Sequence, residues 1–191
     1  MMEIINIFSA FGLSASAGLN AYIPLLTIAL LAKFTTLIQL REPWNVLTDW
    51  WIIGILIFLC LVEFFADKVP AVNHVNDIIQ TFVRPAAGAV AFAASANIVT
   101  DVHPVLALGL GLLISGTVHV AKAGLMRPAV TATTGGAGNV PVSMAEDFVS
   151  FVISVLAVVV PVIIAAIIIL VTAWIIFRWR HHSDKRSQSA A

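Results

Sequence analysis

Trp50-Trp51-Ile52-Ile53-Gly54-Ile55-Leu56-Ile57-Phe58-Leu59-Cys60-Leu61-Val62-Glu63-Phe64-Phe65-Ala66-Asp67-Lys68 is the stretch on which the fold class turns. No residue from Trp50 to Val62 is charged, and the opening Trp pair suits the headgroup region, where amphipathic rings settle. Glu63 and Asp67 stand four apart, so on a helix both carboxylates share one face. At 1.5 Å per residue Glu63 lies about 7 Å below Lys68. A short carboxylate at that depth cannot reach water as a lysine does. It must face a cavity, a partner charge or the bundle interior.

Composition points the same way. The 191-residue chain is 60 % hydrophobic and only 10 % charged, with a mean hydropathy of +1.02. A soluble domain covers its surface with about 25 % charged residues. The shortfall, together with several long apolar runs, implies an all-α integral membrane protein surrounded by a lipid bilayer. Residues 1–177 form one transmembrane domain, with no room for a separate soluble one. Lys+Arg and Asp+Glu balance at ten each, which gives no bulk charge for nucleic acid. The lone Cys60 cannot pair within the chain. No Lys or Arg precedes Lys33, so the first apolar stretch lacks the basic start of a secretory signal and reads as retained structure.

Five apolar blocks are visible: Ile4–Leu40, Trp50–Phe65, Ala86–Thr100, Leu106–Val120 and Phe148–Phe177. The first is too long for one ordinary span and is interrupted by Ser14–Asn20 and Pro24. The expected architecture is a compact bundle of five or six transmembrane elements with broken or re-entrant helices. Between the blocks, Val72, Val75, Ile79 and Phe82 recur at helical spacing, so Val69–Arg84 reads as a short amphipathic helix in the interface or packed on the bundle. Arg127–Val142, with three glycines and two prolines, reads as a loop or re-entrant segment. Residues 178–191 carry Arg178, Arg180, His181, His182, Lys185 and Arg186 and read as a disordered hydrophilic tail, placed on the cytoplasmic side by its positive charge.

Lipid tails are as apolar as leucine, so membrane helices associate through close approach at small residues. Ala87, Ala91 and Ser95 recur at i+4, as do Gly111 and Ser115, which predicts that the third and fourth blocks are central.

The candidate chemistry lies in the charges and the two breaks. Asn20, Glu63, Asp67, Asn139 and Glu146 are the candidates for a substrate or ion pathway. Lys68, His74, Asp77, Arg84, His119 and Lys122 are candidate charge partners. Glu63 and Asp67 suit cation or proton coordination, or a structural ion pair closed by Lys68. Glu146-Asp147 opens the last helix and also suits helix capping. His119 and Lys122 are three apart, with Lys122 a partner for Glu63 or Glu146, or a cation reaching the headgroups. Gly18-Leu19-Asn20 before Pro24 is similar to Gly138-Asn139 before Pro141, as in an inverted repeat of residues 1–80 and 85–177. No spacing suits a metal site or a cofactor loop, and no common hydrolase or nucleotide motif is present.

The runs Gly18-Leu19-Asn20-Ala21-Tyr22-Ile23-Pro24, Glu63-Phe64-Phe65-Ala66-Asp67-Lys68-Val69-Pro70 with Asn73, His74 and Asp77, and Arg84-Pro85 with Gly88, joined by Gly138-Asn139 and Glu146-Asp147, resemble a bacterial inner-membrane family defined as a domain of unknown function (4126). The resemblance covers about Phe11 to Pro161 and implies a multi-pass protein of the bacterial inner membrane, with no activity to carry over. The residues themselves point to a small transporter or channel for an ion or small solute, in a bundle whose size favours a homo-oligomer. A non-transporting scaffold or lipid-binding protein is the alternative. A third reading is an intramembrane enzyme acting on lipid head groups, with Glu63, Asp67, His74, Asp77 and Arg84 gathered at one interface.

Overall fold

The computed structural model describes residues 2–68, 70–96 and 102–188. All regular structure among them is helical: α1 (Met2–Leu19), α2 (Tyr22–Phe34), α3 (Trp50–Ala66), α4 (Pro70–Ala96), α5 (Pro104–Ala121), α6 (Arg127–Thr134) and α7 (Asn139–Gln188). A short 3-10 turn at Trp44–Thr48 leads into α3. Three stretches are long and apolar enough to cross a membrane: Val75–Ala96, Pro104–Thr134 and Asn139–Pro161. Ile7–Leu19, Tyr22–Phe34 and Trp50–Ala66 are shorter apolar helices. These features suggest a membrane protein.

The long first block resolves into two helices. Helix geometry persists through Ser14–Leu19 and breaks only at Asn20 and Ala21. Pro24 falls in the first turn of α2, where its missing N–H has no intrahelical acceptor. Three expectations need correction. Residues 70–84 do not form a separate interfacial helix, because α4 runs on from Pro70 through Pro85 to Ala96. Pro85 removes one bond to the Thr81 carbonyl without ending the helix. Residues 127–142 are not one loop. Pro128 opens α6, and the chain turns over 135–138, where the φ values of 61° and 90° at Gly135 and Gly136 suit glycine. Finally, α7 continues to Gln188, across most of the tail expected to be disordered, since no Gly or Pro interrupts residues 162–188.

The small-residue seam joins α4 to α5, but of the two blocks expected to be central only α4 is, since Val105, Leu106, Leu110, Leu113 and Val120 of α5 are exposed. Gly88 and Gly111 face each other across α4 and α5, where a methyl group on Gly88 meets Ser115 and one on Gly111 meets the Gly88 carbonyl. Ser115 is buried in the same contact, whereas Ala87 and Ala91 pack on the other side of α4 with Leu13, Ala17 and Leu25. Helix α1 is equally central, packing on α4, α5 and α7. Its inner face is polar: Ser14 donates to the Gly111 carbonyl at 2.8 Å, and Ser16 meets Ser150 and Ser154 at 2.8 and 2.7 Å. In contrast, α3 shows Trp50, Trp51, Ile55, Phe58 and Leu61 to its surroundings, and Lys33 stacks over the Trp50 ring at 4.4 Å. An apolar outside, with hydrogen-bonded serines kept inside among Leu13, Ala17 and Ile28, fits a bundle solvated by lipid.

Candidate functional site: a buried charge network

Charged side chains from six segments meet where α1 ends, α2 begins, α3 ends and α7 begins. Glu63, on the last turn of α3, accepts from Arg84 of α4 at 2.8 Å (Nη2) and 3.2 Å (Nε), both to Oε1. Its other oxygen accepts from the Ala21 backbone N–H at 3.2 Å. The Glu63 and Arg84 side chains are 1 % and 0 % exposed. Asp67, one turn on, accepts from Arg127 Nη2 at 2.9 Å, Asn76 at 2.7 Å and Ser143 at 3.2 Å. Arg127 Nη1 reaches both oxygens of Asp77 at 2.9 Å, so one guanidinium joins α4 to the end of α3.

Lys122 and Arg127 reach this network through an irregular turn. Between α5 and α6, Lys122–Met126 is a π-helical turn in which the Arg127 N–H bonds to the Lys122 carbonyl. An α-helix sets residues five apart about 140° from each other, whereas i→i+5 bonding widens the turn and narrows that angle. Both cations therefore point inward. Lys122 donates to the Leu19 carbonyl at 2.8 Å and lies 2.8 Å from Glu146 Oε2. Arg127 approaches the same oxygen at 3.6 Å. Glu146 Oε1 has no hydrogen-bond partner among the described residues.

The break between α1 and α2 is held by the same groups. Asn20 Oδ1 accepts from the Tyr22 and Ile23 N–H groups at 3.1 and 3.0 Å, capping α2, and its amide donates to Asp147 at 3.0 Å. Thus the positive end of α2 meets Asn20 and Glu63, and the negative end of α1 meets the Lys122 ammonium. Lys68 pairs with Asp147 at 3.6 Å and lies over the Phe64 ring.

Of the residues singled out by sequence, Asn20, Glu63, Asp67, Lys68, Asp77, Arg84, His119, Lys122 and Glu146 belong to this one network. Lys122 is 2 % exposed and pairs with Glu146, so it does not reach headgroups. Asn139 stands apart, exchanging hydrogen bonds with Thr131 at the α6–α7 turn. His74 is on α4, but its side chain lies outside those described. Arg127 and Asp147 complete the set. A usable signal for Arg127 was its position just before Pro128, where proline starts a helix as readily as it ends one. Among the described residues no group of three or more His, Cys, Asp and Glu is arranged to hold a metal ion.

Fold and site together define a helical, membrane-type protein with an internal network of opposite charges. The chain belongs to the domain of unknown function family DUF4126, whose model matches residues 7–181. Neither a curated protein nor a solved structure matches it.

Proposed function

We propose that the protein is a small membrane transporter for an ion or small solute, with the charge network at the broken α1–α2 junction as its working centre. The observation that carries this reading is the burial of Glu63, Arg84, Asp67 and Lys122 at 1 % side-chain exposure or less. Ionisable groups inside a membrane protein are expensive, and their usual tasks are ion pathways and proton relays. The opposed helix ends at Asn20 resemble the discontinuous helices that bind substrates and ions in transporters. The location we propose is the bacterial inner membrane, in a homo-oligomer with the basic end of α7 in the cytoplasm. Because α7 is continuous, the charge network then lies towards the opposite face.

A second reading is supported by the hydroxyls that α1 and α7 exchange. Ser14, Ser16, Ser150 and Ser154 are bonded within the protein, as befits a scaffold or lipid-binding protein whose polar residues lock helices together. An enzyme acting on lipid head groups draws on the gathering of Glu63, Asp67, Asp77 and Arg84, yet each of these is held by an opposite charge.

Cysteine accessibility separates these readings. On a Cys60→Ala background, single cysteines at Ala17, Asn20, Ser143 and Ser150 are exposed to a small water-soluble thiol reagent in intact membranes. Reaction at Asn20 and Ser143 is expected for an aqueous path. Silence at all four positions would replace the transporter with the scaffold.

A further inference from the structure

We propose that the outer half of α7 pairs in parallel with the same segment of a second copy of the chain, through the seam Leu156, Val160, Ile163, Ile167 and Leu170. The inference rests on the homo-oligomer of the reading above and gives it an interface. It is independent of what the charge network does.

The first observation is that α7 outruns the bundle. Helix α1 lies antiparallel to it, with Asn20 on Asp147, Ser16 on Ser150 and Ser154, and Gly12 against Ala157. Helix α3 gives the level of the far edge. Glu63 meets the Ala21 N–H beside the Asn20–Asp147 contact, and Trp50 lies about 20 Å back along the axis of α3. The same distance along α7 runs from Asp147 to about Val160. Exposed Trp50 and Trp51 thus stand near the level of Val160, and tryptophans so placed mark where a bilayer gives way to water. Yet α7 stays helical to Gln188, and residues 162–177 carry no charge. That is about 24 Å of uncharged helix beyond the belt.

The second observation is that exposed positions of α7 fall on one line. Leu156, Val160, Ile163, Ile167 and Leu170 are between 39 and 69 % exposed. They follow a strict 4-3 spacing, which is the a and d seam of a heptad. Ser150, Ser154 and Val158, which are buried against the bundle, lie on another side of the helix. The β-branched Val160 and Ile167 take a positions, and Leu156 and Leu170 take two of the three d positions, with Ile163 at the third. That choice favours two parallel strands. Copies inserted in the same orientation in one membrane are parallel as well.

Solvent selects the occupant. Inside the bilayer, lipid covers such a face and no partner is called for. Beyond the belt the neighbour is water, and each aliphatic side chain withdrawn from it contributes about 1.5–3 kcal/mol. At about half exposure the five seam residues hold roughly 100 Å² each, or about 500 Å² per copy, more than half of the roughly 800 Å² per partner of a stable interface. A second copy also brings the matching seam by symmetry. The pairing stops at Phe177, because Arg178 and Arg180 of two parallel copies repel.

The test is disulfide cross-linking of the full chain in native membranes, on a Cys60→Ala background. Single cysteines are placed by Val160→Cys, Ile163→Cys, Ile167→Cys and Leu170→Cys, and by Ala165→Cys and Thr172→Cys, which the helical repeat sets on the opposite side. A two-copy band is expected at the four seam positions and lost at the other two. Equal cross-linking at all six is random collision and overturns the pairing, as does none at any, which leaves the face to lipid. A three-copy band overturns the two-stranded seam. Particle mass in nanodiscs cut directly from the membrane gives a second reading. The combination Ile163→Ala, Ile167→Ala and Leu170→Ala is expected to halve it, from two copies to one. A wild type of one copy, or a triple variant still of two, overturns the proposal. Silence of Asn20 and Ser143 to thiol reagents sinks only the transport reading, and loss of the seam periodicity sinks only this one.

Discussion

Arg84 grips a single oxygen of Glu63 with two nitrogens while the other oxygen of Glu63 caps the start of α2, so one carboxylate ties three helices together. Removing either partner leaves an unpaired charge in a site closed to water, at a cost of about 3–5 kcal/mol. Arg84→Met alone is expected to lower the melting temperature in detergent sharply. Glu63→Leu combined with Arg84→Met is expected to recover most of that loss. Fluorescence-detected size-exclusion after a heating series reads both. A double variant no better than the single one shows that the pair does more than cancel its own charges.

The contact between α4 and α5 leaves no space for a methyl group at Gly88 or Gly111, whereas Gly54 and Gly109 face open surroundings. Overpacking of a tight contact costs about 1–3 kcal/mol. Gly88→Ala and Gly111→Ala are expected to destabilise by that amount, with Gly54→Ala and Gly109→Ala nearly silent. Equal melting temperatures for all four would mean that the seam yields.

At Asn20 one side chain accepts from α2 and donates to Asp147. Asn20→Ala is expected to cost about 1 kcal/mol, the usual worth of a helix cap. Asn20→Asp retains the cap acceptor but sets a carboxylate against Asp147, so it is expected to be worse than alanine at neutral pH and to improve on acidification. Thermal stability at two pH values distinguishes cap loss from charge repulsion.

The π turn sets the direction of Arg127. Deleting Ala123 would restore α-helical bonding and rotate everything beyond it by about 100°. Arg127 would then lose Asp67 and Asp77, and the deletion is expected to be more destabilising than Ala123→Gly. Proteolysis rates in detergent compare the two.

Much of this was legible in the chain itself. The apolar run of α3, the Trp pair at its start, the shared face of Glu63 and Asp67, the small-residue seam and the interruption at Asn20 all follow from periodicity and residue type. The continuity of α4 does not, because Pro85 signals a boundary locally and only packing against Ser115, whose hydroxyl donates to the Arg84 carbonyl at 2.7 Å, shows that the helix survives it. The π turn is equally hidden. It depends on one shifted backbone bond rather than on any preference of Lys-Ala-Gly-Leu-Met. Without it Arg127 cannot be placed with Lys122, and the network loses the cation that joins Asp67 to Asp77. The centrality of α1 was also obscured, since its serines look like a break until Ser150 and Ser154 are found opposite them.

The sequence separation of the ion pairs bears on how the protein is made. Glu63 meets Arg84 after only 21 residues, so α3 and α4 carry a self-neutralising pair as they leave the ribosome. Asp67 waits 60 residues for Arg127, and Lys122 is neutralised only once the start of α7 has been synthesised. Until then the nascent chain holds unmatched charges that no bilayer readily accepts, so insertion of the helices one by one is disfavoured. The last helix is thus the element that lets the earlier ones settle, and a chain truncated before Glu146 is expected to be retained by the insertion machinery or degraded rather than accumulate as a smaller bundle.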